Sequence, residues 1–108
     1  TLYDQALYRI ARTGRVLRYR VAVAPSLHTV RLKFTELWLA APGQRPMDIA
    51  INGRVWWAGW DPAAAAGQTG MAAELRAEPV SPNGTGQIEV ELRATGEHEA
   101  ILQGLEIE

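Results

Sequence analysis

Apolar and polar side chains alternate at period two in several separate segments of this 108-residue chain. The alternating segments are residues 17–23, 30–35, 47–51, 88–93 and 101–107. Since successive side chains of a strand point to opposite faces, each segment is expected to be a β-strand with one buried face. Several short strands separated by turn residues predict an all-β fold, in which two antiparallel sheets pack as a sandwich.

A tight hairpin is predicted in the middle of the chain, where Asn52 and Gly53 directly follow the third segment. Both residue types tolerate positive φ, which a two-residue type I′ turn requires, so the chain is expected to return as a strand over 54–57. Trp56 and Trp57 lie on this return strand. Adjacent side chains of an extended strand face opposite ways, so one ring is expected in the core and the other exposed, where it could contact another sheet or chain.

A short helical turn is predicted near 62–66. Asp61 stands before Pro62 and a run of alanines, which is the pattern of an N-cap residue followed by proline at the first helical position. The following segment favours a strand near 72–78, because its apolar and charged residues alternate at period two.

The composition excludes several classes of protein. There is no cysteine, so disulfide scaffolds, thiolate metal sites and cysteine nucleophiles are excluded. The net charge is −1 and no basic stripe is present, which argues against nucleic-acid binding. No apolar run approaches the roughly 20 residues that cross a bilayer. The chain is long enough for a single domain, expected to span residues 1–108, and its start at Thr1 indicates a mature product or a domain of a longer protein.

No catalytic motif is recognisable, and no enzyme activity, cofactor or metal is predicted. Only two histidines are present. His28 is expected to be a solvated loop residue. Glu97, His98 and Glu99 could form a metal or acid–base cluster, but neighbours on a strand face opposite sides and chelate one ion poorly. In a loop they could converge.

Glu36 is expected to be a buried, paired carboxylate. It continues the inward-facing register of the segment 30–35. Burying a carboxylate without a partner costs on the order of several kcal/mol, because the charge loses its hydration. Arg45 or Arg12 could supply the opposite charge. Two interpretations are open, a brace for the loop 40–46 and a catalytic acid, and the bracing role is favoured.

Trp38 stands where the second alternating segment runs into a Pro/Gly loop. An aromatic ring at such a corner can show its flat face to solvent, and sugars bind such faces through their apolar C–H patches. The alternative is that Trp38 caps the edge of the core. The sequence weighs these two interpretations about evenly.

The order of several short motifs resembles the malectin domain family, and the resemblance spans nearly the whole chain. The matching pieces are Leu7-Tyr8, Ala11-Arg12, Val30–Glu36, Pro42–Arg45, Met47–Gly53, Asp61 and the closing Leu102–Ile107. The resemblance implies a jelly-roll-like, galactose-binding-like β-sandwich. It also implies a non-catalytic module that binds glucose-containing oligosaccharides or polysaccharides, extracellular or at the cell surface, and often part of a larger protein.

The resemblance also implies where a ligand binds. Trp38-Leu39 stands where the family has an aromatic pair, so one aromatic is kept in kind and one is lost. Thr13, after Arg12, replaces a binding tyrosine. The family's late aspartate falls near His98, beside Glu97. The expected ligand-binding residues are therefore Arg12, Thr13, Trp38, Leu39, Glu97 and His98.

Family members begin with a strand-and-loop region that this sequence does not contain. An open sheet edge can then pair with neighbouring domains or with identical chains. The alternative function is therefore a structural or assembly module of a multidomain or oligomeric surface protein, which has kept the sandwich and lost sugar binding.

Overall fold

The structure is a computed structural model that describes the backbone of residues 6–108 and the side chains from Thr13 onwards. Eight strands and one short helix make up this part of the chain. The elements are β1 (Ala6–Gly14), β2 (Val16–Ala22), β3 (His28–Thr35), β4 (Met47–Ile51), β5 (Arg54–Trp60), α1 (Pro62–Ala66), β6 (Ala72–Val80), β7 (Gln87–Ala94) and β8 (Ala100–Ile107). No helix among the described residues is long and apolar enough to span a membrane.

The strands form two four-stranded sheets, one in the order β1-β8-β3-β6 and the other in the order β2-β7-β4-β5. Every pairing is antiparallel. The prediction of an all-β antiparallel sandwich with one short helical turn is confirmed. The helical turn begins as expected, because the Asp61 carboxylate accepts a hydrogen bond from the Ala64 amide at 2.8 Å.

The core lies between the two sheets and is built from the alternating positions. Along β3, buried and half-buried side chains alternate over the whole strand. Leu32 at its centre is fully buried and lies opposite Leu75 of β6 and Leu105 of β8. Burying each such side chain stabilises the fold by about 1.5–3 kcal/mol.

The hairpin between β4 and β5 turns at Asn52 and Gly53, whose φ angles of 50° and 80° are both positive, as predicted. Asn52 has a second role. Its side-chain amide donates to the Ser81 carbonyl at 2.8 Å, and its oxygen accepts from the Glu89 amide at 2.8 Å. Asparagine at this position therefore tolerates the turn and also fastens the hairpin to β7 and to the segment after β6.

The expectation that one of Trp56 and Trp57 is core and the other exposed is wrong. Ile49 lies opposite Trp57 while Ala50 lies opposite Val55, so Trp56 is an extra residue in β5. Such a bulge breaks the strict alternation of side chains. Both rings are half-buried against the core, with centroids 5.9 Å apart.

The expectation that His28 is a solvated loop residue is also wrong. It is the first residue of β3 and is only 4% exposed. Its ring nitrogens lie 2.8 Å from the Ala24 carbonyl oxygen and 3.1 Å from the Glu108 carbonyl oxygen. These two backbone carbonyls take the place of water around the ring, so the end of β8 is held against the start of β3.

Truncation of the core should destabilise the protein strongly. Leu32→Ala removes a fully buried side chain at the centre of β3, so the free energy of unfolding should fall by about 2–5 kcal/mol. Urea unfolding followed by circular dichroism measures the change. Val55→Ala is the matched control, because that side chain is 53% exposed and its loss should change stability by no more than about 0.5 kcal/mol. Equal effects of the two substitutions would contradict this description of the core.

Candidate functional site

Three connections meet at one end of the sandwich. They are the β1–β2 turn at Arg15, the long loop 36–46 between β3 and β4, and the loop 95–99 between β7 and β8. Together they surround a cavity of about 440 Å³. The cavity is lined by Thr13, Trp38, Leu39, Arg45, Glu97, His98 and Glu99.

The structure brings most of the predicted ligand-binding residues into this one cavity. Thr13, Trp38, Leu39, Glu97 and His98 all line it, although they come from three separate parts of the chain. The backbone of Arg12 pairs with Leu102 in β1, but its side chain lies outside the described residues. Convergence of these side chains is a fact of the fold, and their contact with a ligand remains a prediction.

Trp38 presents its ring to solvent and does not cap the core. Its side chain is 59% exposed, which is far more than expected for an indole ring without a reason to face water. The guanidinium carbon of Arg45 lies 5.9 Å from the ring centroid. A cation at this distance attracts the ring face and helps to fix its orientation.

A buried ion pair supports the loop that carries Trp38. Glu36 is 1% exposed and Arg45 is 5% exposed. Arg45 Nε donates to Glu36 Oε1 at 2.6 Å, and Nη2 donates to Oε2 at 3.3 Å. The predicted pairing of Glu36 as a brace of this loop is confirmed, and Arg45 is its partner.

The same carboxylate also fixes the backbone beside the cavity. Glu36 Oε2 accepts hydrogen bonds from the Trp38 amide at 3.1 Å and from the Leu39 amide at 3.3 Å. Burial raises the pKa of the Glu36 carboxyl. The hydrogen bonds from Arg45 and from both amides, together with the charge of Arg45, outweigh burial, so the pKa is lowered from its ordinary value.

Arg45 connects this loop to two other parts of the structure. Its Nη1 donates to the Glu99 carbonyl at 2.5 Å, and its backbone amide donates to Asp61 Oδ2 at 2.7 Å. Asp61 is itself buried and caps α1. The buried polar cluster of Glu36, Arg45 and Asp61 therefore joins the loop 36–46, the loop 95–99 and the start of α1.

Arg15 holds the loop 95–99 from its other side. Its Nη1 donates to the Gly96 carbonyl at 2.8 Å and lies 3.5 Å from the His98 carbonyl oxygen, and Nη2 lies 3.5 Å from the Ala94 carbonyl oxygen. Sequence reasoning missed this residue. A lone arginine in a turn carries no local signal that it reaches a loop 81 positions away.

Arg15 and Arg45 bind backbone carbonyls of the loop 95–99 and not its carboxylates. Among the described residues, neither Glu97 nor Glu99 forms an ion pair. His98 is half-buried beside them. Within that same part of the chain, no group of three histidine, aspartate or glutamate side chains is placed to hold a metal ion. The cavity therefore offers hydrogen-bond acceptors beside an aromatic ring.

A second, larger cavity of about 520 Å³ lies at the opposite end of the sandwich. Its lining includes Val23, Pro25, Leu27 and Pro82, and none of the described residues that line it is charged or aromatic. Size alone does not identify a polar ligand site, since specificity comes from a few placed polar groups. The smaller cavity at Trp38 is therefore the better candidate.

The family model for the malectin domain matches residues 1–105, and this chain belongs to the malectin domain family. The resemblance noted from the sequence motifs is confirmed. None of the curated proteins that were compared matched the chain.

Solved structures share the fold. The extracellular domain of ANXUR1 from Arabidopsis thaliana superposes with a TM-score of 0.76 at 21% identity, over 85% of this chain and 26% of that one. The complex of the plant peptide RALF23 with FER and LLG2 gives a TM-score of 0.76 at 20% identity, over 85% and 26%. Beta-glucuronidase 2 of Bacteroides uniformis gives a TM-score of 0.71 at 20% identity, over 90% and 10%. The chain thus spans about a quarter of the plant proteins' length and a tenth of the enzyme's.

The Glu36–Arg45 pair should make stability depend on pH. Because the pKa of Glu36 is lowered in the fold, its contribution is fully present above the unfolded-state pKa and is lost as the pH falls through the folded-state pKa. Glu36→Gln leaves Arg45 buried without its partner, so the protein should lose about 3–5 kcal/mol at neutral pH. The difference from the wild type should shrink on acidification, as urea midpoints at several pH values would show.

Glu91→Gln is the control for this measurement. The pKa of Glu91 is also lowered, first by its hydrogen bond from Arg18 and then by that from Arg93, but these groups lie on the exposed face of the sheet. Its removal should cost far less at every pH. A difference between Glu36→Gln and the wild type that stays constant from neutral to acidic pH would contradict the assigned ionisation.

Proposed function

We propose that this domain is a non-catalytic binding module for glucose-containing oligosaccharides, which bind in the cavity at Trp38. The observation that carries the proposal is the exposed Trp38 ring beside the Glu97 and Glu99 carboxylates, which form no ion pair with another described residue. A sugar ring has an apolar C–H face that stacks on an aromatic ring, and its hydroxyl groups donate hydrogen bonds to carboxylates.

Each cavity residue has a role in this proposal. Trp38 is the stacking platform, and Leu39 adds apolar surface beside it. Glu97 and His98 contact hydroxyl groups from one wall, and the Thr13 hydroxyl does so from another. Arg12 is a further expected contact, by its position in the family pattern.

The electrostatics of the cavity support binding without catalysis. Glycoside hydrolysis requires a carboxylic acid that is protonated at working pH and donates to the leaving group. Glu36 is held ionised by Arg45, and both of its oxygens are occupied by hydrogen bonds. Asp61 is likewise occupied by the amides of Arg45 and Ala64. The ionised Glu36 is therefore not available as a proton donor.

The setting of the domain is proposed from its relatives. The structures that share its fold include the extracellular domain of a plant receptor, and this chain matches only a fraction of that length. We infer that the chain is one domain of a larger extracellular or cell-surface protein. Its binding partner is then an oligosaccharide or polysaccharide outside the cell.

Binding should depend on Trp38. Isothermal titration calorimetry with maltose, nigerose and longer glucans should detect saturable binding to the wild type. Trp38→Ala should weaken that binding about tenfold or more, equivalent to about 1.4 kcal/mol, because the stacking surface is lost. Trp38→Phe should retain part of the affinity. Leu27→Ala is the control, since that side chain is also exposed but lies at the opposite end of the sandwich. Failure of every glucan to bind at millimolar concentration would sink the proposal.

A second candidate function is a protein-interaction or assembly module. It is favoured by β5, an edge strand that carries an exposed Val55 and the half-buried Trp56 and Trp57. Arg54 lies over the Trp56 ring at 5.6 Å. Aromatic side chains and arginine are enriched in protein interfaces, and an open sheet edge can pair with another chain.

The assembly function predicts association that depends on concentration. Sedimentation velocity over a hundredfold range should show a mass that rises with concentration, and Val55→Lys should shift the equilibrium towards the monomer by placing a charge in the contact. A mass equal to one chain at all concentrations would count against self-assembly and leave sugar binding as the function.

A further inference from the structure

We propose that the binding cavity continues into a second subsite, so that the domain binds a neutral oligosaccharide whose chain extends beyond the sugar on Trp38. This inference rests on the proposed function and specifies its ligand. A neighbouring cavity of about 250 Å³ is lined by Gly43, Gln44, Pro46, Gly96, Glu97 and His98.

Glu97 and His98 line both cavities and form the wall between them. On one side of this wall lie Trp38 and Leu39, and on the other side lies Gln44. A ligand that crosses the wall meets the same carboxylate and imidazole from both sides. The shared lining residues place the two cavities side by side at this end of the sandwich.

The wall is held in place before any ligand binds. Arg15 binds the carbonyls of Gly96 and His98, and the Thr95 amide donates to the Pro46 carbonyl at 3.1 Å. Gly96 packs so closely on Pro46 that a Cβ atom at Gly96 would lie 3.0 Å from its ring. A preformed subsite requires little ordering on binding, which favours affinity.

The second subsite carries the chemistry of sugar recognition. Gln44 Oε1 accepts a hydrogen bond from the Ala41 amide at 3.1 Å, which fixes the side-chain amide group. Its Nε2 has no hydrogen-bond partner among the described residues and can donate to a sugar hydroxyl. The ring of Pro46 supplies an apolar floor, and Glu97 supplies an acceptor.

The charge of the two cavities favours neutral sugars. Among the described residues that line the second cavity, Glu97 is charged and none is an arginine or lysine. In the described lining of the first cavity, the one guanidinium, that of Arg45, is already paired with Glu36, so a uronic acid would bring its carboxylate towards Glu97 and Glu99, whereas a neutral hydroxyl group donates to them.

A chain-length series tests the second subsite. Calorimetric titration with glucose, maltose, maltotriose and maltotetraose should show affinity that rises severalfold once the chain is long enough to cross the wall. Gln44→Ala should remove most of that rise and leave the affinity for the shortest ligand that binds unchanged. Trp38→Ala should weaken all lengths alike. Gln68→Ala is the matched control, because Gln68 is an exposed glutamine that lines neither cavity.

The outcomes separate this inference from the proposed function. Equal affinity for all chain lengths, or a Gln44→Ala loss that is the same for every length, would overturn the second subsite while leaving sugar binding at Trp38 intact. Absence of binding for every sugar would overturn both. Tri-galacturonate should bind at least tenfold more weakly than maltotriose at low salt, and equal affinity for the two would overturn the preference for neutral sugars.

Discussion

The ion pair between Glu36 and Arg45 is the interaction on which the candidate site depends. Both side chains are almost inaccessible to water, and the pair lies where β3 ends and β4 is about to begin. Such a pair adds little net stability relative to a well-packed apolar core, because desolvation offsets much of the attraction. Its value here is geometric. One carboxylate orients the backbone beside Trp38, and one guanidinium secures the loop 95–99.

The two sheets provide the stability of the domain, and the loops provide its candidate binding site. Apolar positions of β3, β4, β7 and β8 provide the burial that stabilises the sandwich. The loops at one end contain the polar groups, and they are held by hydrogen bonds to backbone atoms. Because arginine binds main-chain carbonyls and Glu36 binds main-chain amides, the shape of the cavity does not require the acidic groups on its rim. Within the described part of the chain those groups form no ion pair and are available to a ligand.

The sequence predicts whatever is set by local periodicity. The alternation of apolar and polar residues predicted the positions of the strands. Extending the inward-facing register of the segment 30–35 by two positions, from Phe34 to Glu36, predicted a buried carboxylate. Because an unpaired buried charge is costly, a cationic partner was expected. The remaining features depend on contacts between residues distant in the chain. Arg15 donates a hydrogen bond to the carbonyl of Gly96, 81 positions away in the chain. The ring of His28 is buried against the carbonyl of Glu108, 80 positions away. Trp56 is an extra residue in β5, and it interrupts the alternation of side chains along that strand. A period-two sequence pattern does not predict the position of such a bulge.

The exposure of Trp38 gives the molecule a built-in optical reporter. Of its four tryptophans, the three in β5 are half-buried against the core, while Trp38 is mostly in water. Emission from the three packed rings should lie at shorter wavelength, and a collisional quencher such as acrylamide should reach Trp38 first. Ligand binding in the cavity and motion of the loop 36–46 can thus be followed by the intrinsic fluorescence of Trp38, without an added label.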